Sequence, residues 1–309
     1  MANLLYLVHR LPYPPNKGDK VRSFHLLKHL AAQHRVYLGT FVDDPDDAQH
    51  VDTVRAMCAA VYAASLNPRL AKVRSLGGLL RGRALTLDYY RDAGLADWVQ
   101  RIVAQYRIGT AVVFSSSMAQ YVEALPGGVR TLVDFVDVDS AKWTQYAGAH
   151  RWPLSWLYRR EGERLLAYER AVAAQSQRSF FVTESETALF RRLAPEAAAS
   201  VESMSNGVDS EFFAPDTARA SPFEAGEIPV VFTGAMDYWP NVDAVSWFVG
   251  EMLPILRRQW PTLRFHIVGR SPTPTVLALA GDAVNVTGTV PDVRPYLQHA
   301  AVVVGALAL

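Results

Sequence analysis

The 309 residues of the chain carry 31 Lys and Arg against 30 Asp and Glu, a formal net charge of only +1, and half of them are hydrophobic. A chain of this length can build two compact domains with separate cores. The near-neutral charge and the lack of a dense basic run argue against a nucleic-acid partner. Because Cys58 is the single cysteine, an internal disulfide and a cysteine-based metal site are excluded.

The N-terminal residues predict a buried strand and not a targeting segment. They read MANLLYLV, without a basic leader before the apolar stretch or a small-residue cleavage pattern after it, and His9-Arg10 interrupts them. No apolar run approaches the ~20 residues that a membrane-spanning helix needs. We therefore expect a cytoplasmic protein, with peripheral contact to the inner membrane face left open.

Strand-length apolar bursts alternate with helical periodicity from the N-terminus onward. We predict strands at 4–8, 36–41, 111–114, 130–133 and 180–183, and helices near 19–33, 48–60, 87–106 and 157–177. Continuous apolar strands separated by amphipathic helices indicate a parallel sheet that is covered on both faces. This is the doubly wound α/β architecture.

A turn-rich stretch then precedes a second round of alternation. Beyond it we predict strands at 229–232, 264–268, 284–286 and 301–304, with a long helix at 241–260. The pattern predicts one domain at 1–205, a linker at 206–227 and a second domain at 228–309. A complete nucleotide-binding α/β domain usually needs about 150 residues, so we expect this second domain to be incomplete and part of its site to be missing.

The first of three glycine turns lies between a strand and a helix, where carboxyl strand ends and helix N-termini attract anions. Gly18 permits close backbone approach there, and Asp19 can cap the helix. Its cations are Lys17, Lys20 and Arg22. The turn is neither a triphosphatase phosphate loop nor a dinucleotide fingerprint. A rigid proline-rich turn is an equally good interpretation.

The other two turns lie in the second predicted domain. In TGAMDYWPN at 233–241, Pro240 suits the first helical turn, and Asn241 or Asp243 can cap it. In the third turn Arg270 directly follows a strand, where a guanidinium can pair with phosphate through two hydrogen bonds. A solvated surface arginine is the alternative. Two sheet domains with such turns facing each other would form a cleft suited to a nucleotide.

Four segments resemble motifs of the family 4 retaining glycosyltransferases of the GT-B fold. They are SNGVDSEFFAP at 205–215, FTGAMDYWPNVDAV at 232–245, IVGR at 267–270 and VTGTVPDVRPYL at 286–297. More narrowly, the N-terminal half resembles the sugar transferases associated with PEP-CTERM exopolysaccharide systems. The segments that carry this similarity are RLPYPPNKGDKVRSF at 10–24, DFVDVDSAKW at 134–143 and YRREG at 158–162.

The resemblance implies two Rossmann-like domains and transfer of a sugar from a nucleotide-diphosphate donor to a glycan or lipid-linked acceptor, with retention of configuration and without a metal or other cofactor. It places Gly234 against the diphosphate, Arg270 against the phosphate or base, and the stretch from Val290 to Asp292 against the base. Gly18 would lie near the donor phosphate. The acceptor-side candidates are His9, Lys17, Asp19 and Arg22.

Two departures from the family pattern keep other functions open. Many relatives carry an Arg and a Lys just after the strand that ends here at Phe232, where this chain has GAMDYW. The Glu-x7-Glu segment that contacts sugar and ribose in the family would follow Leu309, so we expect that the chain as given can be inactive. A non-catalytic GT-B partner of a polysaccharide assembly system is therefore the main alternative. A nucleotide-sugar epimerase is a further alternative, but it would need a dedicated acid–base set, which the sequence does not show.

Three aspartates follow the strand predicted at 130–133. In this fold a His or Asp after that strand often touches the transferred sugar, so Asp137 is the first catalytic candidate and Asp134 the second. Capping of a helix near Ser140 is the alternative. A metal site formed by Asp134, Asp137 and Asp139 is a further alternative, but the sequence has no His or further carboxylate at a spacing that would support it.

The segment HRWPLSWLYRR at 150–160 mixes aromatic and basic side chains. Such a mixture suits the membrane interface. We favour instead a helix that packs its aromatics inward and pairs its arginines with Glu161, Glu163 and Glu169. The histidines without triad or metal-ligand spacing are interpreted as structural: His25, His29 and His266.

Overall fold

The computed structural model describes residues 1–125 and 127–305, which form two compact units that divide between Gly207 and Val208. Each unit contains a sheet whose neighbouring strands all run parallel. The chain thus has the α/β class that its alternating pattern predicts. Over the described residues, none of the helices combines the length and apolar character that crossing a membrane requires.

The N-terminal unit is built on a sheet with the strand order β3-β2-β1-β4-β5-β6-β7. The strands are β1 (Asn3–Val8), β2 (Arg35–Val42), β3 (Ala60–Ser65), β4 (Thr110–Phe114), β5 (Arg130–Val136), β6 (Arg178–Phe181) and β7 (Val201–Ser203). The α-helices are α1 (Gly18–Gln33), α2 (Val51–Arg55), α3 (Pro68–Ser75), α4 (Gly77–Arg81), α5 (Leu85–Tyr89), α6 (Ala93–Tyr106), α7 (Asp139–Ala149), α8 (Leu154–Gln175) and α9 (Glu184–Leu193). Short 3-10 helices cover Pro45–His50, Ser116–Tyr121 and Pro195–Ser200.

Both faces of this sheet are buried, which explains why its strands are continuously apolar. In β1, Leu5 and Leu7 contribute to one hydrophobic cluster, whereas Leu4, Tyr6 and Val8 contribute to the cluster on the opposite face. Successive strand residues point to opposite faces, so a strand covered on both sides needs apolar residues at every position.

The C-terminal unit has the strand order β10-β9-β8-β11. Its strands are β8 (Ile228–Thr233), β9 (Leu263–Val268), β10 (Val284–Gly288) and β11 (Val302–Val304), and its helices are α10 (Trp239–Trp247), α11 (Leu253–Gln259), α12 (Pro274–Leu277) and α13 (Arg294–His299). A π-helical turn at Phe248–Met252 joins α10 to α11. Phe232, Phe265 and Ile267 lie in its core. Residues 306–309, which belong to the predicted second domain, lie outside the described residues.

Two predicted helices differ from the observed ones for local reasons. The helix predicted at 87–106 is interrupted, because the Asp92 carboxylate accepts a hydrogen bond from the Leu95 amide at 2.7 Å and caps α6 as a new helix. The helix predicted at 48–60 ends early. Only Val51–Arg55 is α-helical, and the chain enters β3 at Ala60.

The predicted helix caps are wrong. Lys17 occupies the N-cap of α1, and Asp19 lies within the first turn, where it accepts a hydrogen bond from Arg10. Tyr238 occupies the N-cap of α10, which excludes Asp243, while the Asn241 amide donates to the carbonyl of Ala235 at 3.0 Å. The cap of α7 is Val138, without a side-chain hydrogen bond, so Asp137 does not cap that helix either.

The inward-facing interpretation of residues 150–160 is also wrong for both tryptophans, although Tyr158 packs against Trp143 as expected. Trp152 and Trp156 are 80% and 54% exposed. Arg160 donates to two backbone carbonyls and not to a glutamate. The carboxylate of Glu161 instead accepts hydrogen bonds from the backbone at the start of α5, and that of Glu169 accepts one from Ser140. This segment therefore presents its indoles and part of its positive charge to the surroundings.

Candidate functional site

The carboxyl end of β1 places His9 in an aromatic setting. Its ring stacks on Phe114, with centroids 5.9 Å apart, and meets Tyr90 edge-on at 5.6 Å. Its Nε2 lies 3.5 Å from the Asp19 carboxylate, and Nδ1 is buried without a hydrogen-bond partner in the described ranges. The two rings fix the orientation of the imidazole, so that one nitrogen faces a carboxylate.

Asp19 is held as an anion by two basic neighbours. Arg10 donates to its Oδ2 at 2.9 Å and also pairs with Asp43 at 2.8 Å. Although burial opposes ionisation, His9 and Arg10 hold the pKa of the Asp19 carboxyl well below its usual range. Lys17 lies 3.8 Å from Asp44 at the same edge. The predicted acceptor-side residues His9, Lys17 and Asp19 therefore lie on one edge of the sheet.

Arg22 and Asp134 form a buried pair and are not open to solvent. The Nε and Nη2 of Arg22 donate to the two Asp134 oxygens at 2.8 and 3.2 Å, and Nη2 also donates to the Met204 carbonyl at 2.7 Å. Asp134 is 1% exposed. Desolvation raises the pKa of its carboxyl against the opposing effect of Arg22. These two residues join α1 to β5, and of the two catalytic candidates only Asp137 reaches the surface.

Asp137 belongs to a carboxylate–amine group just beyond β5. Lys142 Nζ lies 2.6 Å from Asp137 Oδ2 and 3.3 Å from Asp139 Oδ1, and Asp137 is 38% exposed. Although burial favours the neutral amine, Asp139 and Asp137 hold the pKa of Lys142 above its usual value. Burial raises the pKa of Asp139, with Lys142 opposing. This group can hold a hydroxyl by accepting and donating hydrogen bonds at once.

Backbone strain lies at the ends of two adjacent strands beside this group. Ser115 follows β4 with φ of 76°, and Val136 ends β5 with φ of 71°. A β-branched residue in the left-handed region is strained. The pairing of β5 with β6 also shifts register between Asp134 and Val136. Strain of this kind occurs at functional sites, and at Val136 it lies directly before residues 137–139.

In the C-terminal unit, β8 and β9 are each followed directly by a glycine, and these two glycines, Gly234 and Gly269, pack against each other. A Cβ on Gly269 would collide with the carbonyl oxygen of Gly234, and a Cβ on Gly234 would lie 2.6 Å from Asn241 Nδ2. The Gly234 amide donates to the Val268 carbonyl at 3.1 Å. By contrast, a Cβ on Gly18 would meet nothing within 4 Å. None of the described residues therefore makes the close backbone approach that was expected at Gly18.

Arg270 follows this glycine contact directly and is half-buried. Its backbone carbonyl accepts a hydrogen bond from Met236 at 2.9 Å. Its guanidinium forms no ion pair or hydrogen bond with residues 1–125 or 127–305. A fixed backbone with an unengaged guanidinium at a strand end is suited to an anion.

The remaining predicted donor-side residues lie between β10 and α13. Val290 is half-buried, and Asp292 accepts a pair of hydrogen bonds from the Arg294 guanidinium at 2.8 and 3.0 Å. Arg294 also stacks over the Phe212 ring, 4.0 Å from its centroid. The Asp292 side chain is thus paired with Arg294, which lowers the pKa of the Asp292 carboxyl. In this loop, the backbone near Val290 is therefore the part that can contact a nucleobase.

Several residues of these groups were missed by sequence reasoning: Arg10, Asp43, Ser115 and Lys142. The i,i+3 spacing of Asp139 and Lys142 was a usable signal, because a helix near Ser140 was already considered as the alternative interpretation of these aspartates. Within the described ranges, no three His, Cys, Asp or Glu side chains are grouped so as to hold a metal ion.

Residues 227–308 match the family model described as "Glycosyl transferases group 1". No curated protein gives a significant sequence match. Among solved structures, the chain is similar to sucrose-phosphate synthase from Thermosynechococcus elongatus, at 17% identity and a TM-score of 0.66, over 98% of this chain and 75% of that one.

The chain is similar also to HepE of Anabaena, whose crystals contain UDP, at 14% identity and a TM-score of 0.60, over 98% of this chain and 73% of that one. A third similar structure is a glycosyltransferase from Rickettsia africae, at 11% identity and a TM-score of 0.58, covering 98% of this chain and 72% of that one. The chain has the GT-B fold of these neighbours, and its residues 227–308 are similar to the group 1 glycosyl transferases.

Proposed function

We propose that the protein transfers a sugar from a nucleotide-diphosphate sugar to a glycan or lipid-linked acceptor, with retention of the anomeric configuration. The observation that carries the proposal is the strand-end group of Gly234, Gly269 and Arg270, where two backbones are in close contact and the half-buried guanidinium that follows them has no partner among residues 1–125 and 127–305. HepE, which shares this fold, was crystallised with UDP and with UDP-glucose, and this supports a nucleotide sugar as the donor.

The roles within this proposal follow from charge and position. Arg270 would pair with the diphosphate, since charge-assisted hydrogen bonds to phosphate are among the strongest that a side chain makes. The backbone near Val290 would receive the base. Asp137, supported by Lys142, would orient a sugar hydroxyl or stabilise positive charge at the anomeric carbon. His9 and Asp19 would bind the acceptor side.

No metal enters this scheme, because the departing diphosphate would be stabilised by Arg270 and backbone amides. The cellular role that we propose is exopolysaccharide biosynthesis of the PEP-CTERM-associated kind, in the cytoplasm and in peripheral contact with the inner membrane face. The motifs at 10–24 and 134–143 support this assignment.

The reaction is tested by release of nucleoside diphosphate from a panel of nucleotide sugars, with EDTA present throughout. We expect turnover with one donor, and proton NMR should show that the released or transferred sugar keeps the donor's anomeric configuration. Asp137→Asn should lower kcat by about 100-fold and leave the dissociation constant of the nucleotide unchanged.

The matched control is Asp52→Asn, an exposed aspartate that pairs with Arg55 on α2. It should behave like the wild type. An inverted product would contradict the retaining mechanism, and turnover that needs added Mg²⁺ would contradict the metal-free scheme. Nucleotide binding without any turnover would favour the non-catalytic partner.

A further inference from the structure

Positive charge is concentrated in two segments of the N-terminal unit. Residues 68–83 span α3, α4 and the turn after them, and residues 150–160 span the connection from α7 into α8. Together they carry eight Arg and Lys and no Asp or Glu, while the rest of the chain carries 23 Arg and Lys against 30 Asp and Glu. We call these two segments the basic apolar face.

The two segments meet in space. Arg160 on α8 donates to the backbone carbonyls of Arg83 and Gly78, both at 3.1 Å. A cavity of about 330 Å³ lies where they join, with Lys72 on one side and Leu157 on the other. The two runs of sequence, about seventy residues apart, therefore adjoin on the N-terminal unit.

This face exposes large apolar side chains along both segments. Leu80 is 95% exposed and Trp152 is 80% exposed. The others with at least 45% of their surface exposed are Leu70, Val73, Leu76, Leu154 and Trp156. Single exposed apolar residues are ordinary, but a group of this kind marks an interaction surface.

The cations are interleaved with these apolar side chains and largely unneutralised. Arg69, Lys72, Arg151 and Arg159 are exposed and form no ion pair with any residue that the structure describes. Charged residues are depleted at the apolar centres of protein–protein interfaces, although arginine is enriched across such interfaces as a whole. Leucine and tryptophan interleaved with Lys and Arg match the boundary between lipid headgroups and acyl chains.

We propose that the basic apolar face docks on a bilayer that contains anionic lipids. Leu80 and Trp152 enter the headgroup–acyl boundary, while the surrounding Arg and Lys side chains pair with lipid phosphates. The inference rests on the peripheral membrane contact of the proposed function and identifies the surface and the lipid class. It needs no nucleotide, so it can fail or succeed separately from the transfer reaction.

The test is co-sedimentation of the full chain with phosphatidylcholine vesicles, with and without phosphatidylglycerol. We expect the wild type to pellet only with the anionic vesicles. The double variant Leu80→Ser/Trp152→Ser should lower the partition coefficient at least tenfold, because two inserted apolar side chains are lost. Arg69→Gln/Lys72→Gln should lower it by about tenfold or more, because each cation near the surface contributes.

The matched control is Ile255→Ser/Leu277→Ser, two side chains in the C-terminal unit that are 56% and 51% exposed. It should pellet like the wild type. Failure to bind anionic vesicles, equal binding to neutral ones, or full binding by Leu80→Ser/Trp152→Ser would each overturn the proposal. The proposal would also be overturned if light scattering showed a wild-type dimer that this variant does not form, and if the wild type stayed in solution when vesicles were added. The face would then be covered by a second copy of the chain.

UDP titration of the same variants separates the two proposals. Leu80→Ser/Trp152→Ser should bind the nucleotide like the wild type, since its changes lie on α4 and before α8. A wild type that binds vesicles but no nucleotide would count against the transfer function alone.

Discussion

Glu169 is a fully buried carboxyl group in the middle of α8. Ser140 donates to its Oε2 at 2.5 Å, and Oε1 is buried without a hydrogen-bond partner in the described part of the chain. Desolvation, aided by the charge of Asp139, raises the pKa of Glu169 from 4.5 to about 8, against the hydrogen bond from Ser140. The folded protein therefore keeps this proton at neutral pH.

The consequence is a pH-dependent free energy of unfolding. Between the unfolded pKa of 4.5 and the folded value of about 8, the native state binds more protons than the unfolded state, so the free energy of unfolding falls as pH rises and levels off above about 8. The total loss is on the order of 5 kcal/mol. Glu169→Gln, which does not titrate, should remove this part of the slope in urea titrations between about pH 5 and pH 8.

Glu163→Gln is the control for that experiment, because Glu163 is exposed on the same helix. Its pH dependence should match that of the wild type. A Glu169→Gln variant with the same pH slope as the wild type would contradict a neutral buried Glu169.

At the same scale, the sequence could name candidate residues but not their partners. It identified both Arg22 and Asp134, yet the contact between them joins positions 112 residues apart. Local spacing carries no information about such a pair, because the approach of α1 to the end of β5 is set by packing of the whole sheet. A residue chosen as catalytic thus lies in a structural ion pair, while Asp137, three positions later, lies at the surface.

Among the elements, the ends of β8 and β9 depend on two glycines. The Gly269 Cα faces the Gly234 carbonyl so closely that no side chain fits. This contact sets the direction in which the chain leaves β9, and hence the position of Arg270. It is a fixed backbone approach, which is one of the few structural reasons for glycine in a strand end.

Gly269→Ala should therefore lower the stability of the C-terminal unit by about 1–3 kcal/mol, as overpacking does, and weaken nucleotide binding. Thermal unfolding followed by circular dichroism and a nucleotide titration would measure the two effects. Gly250→Ala is the control, because a Cβ there would meet nothing within 4 Å. Equal melting temperatures for the two variants would show that the ends of β8 and β9 can move apart to make room for a Cβ at position 269 without loss of stability.

The elements that sequence reasoning found and missed differ in composition. The aliphatic strands β1, β2, β4, β8 and β9 were all predicted, because buried parallel strands are continuous runs of large apolar residues. β3 was missed, since its sequence AVYAAS has only one β-branched residue and reads as part of a helix. The break before α6 could have been found, because Asp92 is a strong N-cap residue.

For the molecule as a whole, the segment after Gly207 is attached to the C-terminal unit. Arg294 donates to the Phe212 carbonyl at 3.1 Å, and Gln298 exchanges hydrogen bonds with the Asp216 backbone at 3.1 and 2.8 Å. By contrast, residues 205–208 are exposed and lack backbone hydrogen bonds to any described residue. The chain is thus least protected where the contacts divide it into two units.

Limited digestion with subtilisin should cut first within 205–208, because proteases cleave exposed backbone that is not hydrogen-bonded. Mass spectrometry should show an N-terminal fragment that ends there and a complementary C-terminal fragment, both resistant to further cutting. Initial cleavage within 216–227, or in α3 and α4, would contradict this division of the chain.

Calorimetric titration can show whether the strand-end group of the C-terminal unit binds a nucleoside diphosphate through Arg270. UDP and GDP would be titrated into the full chain, into Arg270→Ala and into Arg258→Ala, the control, which changes an exposed arginine on α11. We predict micromolar binding of one nucleotide, weakened about 10- to 100-fold by Arg270→Ala and unchanged in Arg258→Ala. Binding of neither nucleotide, or equal binding by Arg270→Ala, would show that Arg270 does not hold a nucleoside diphosphate.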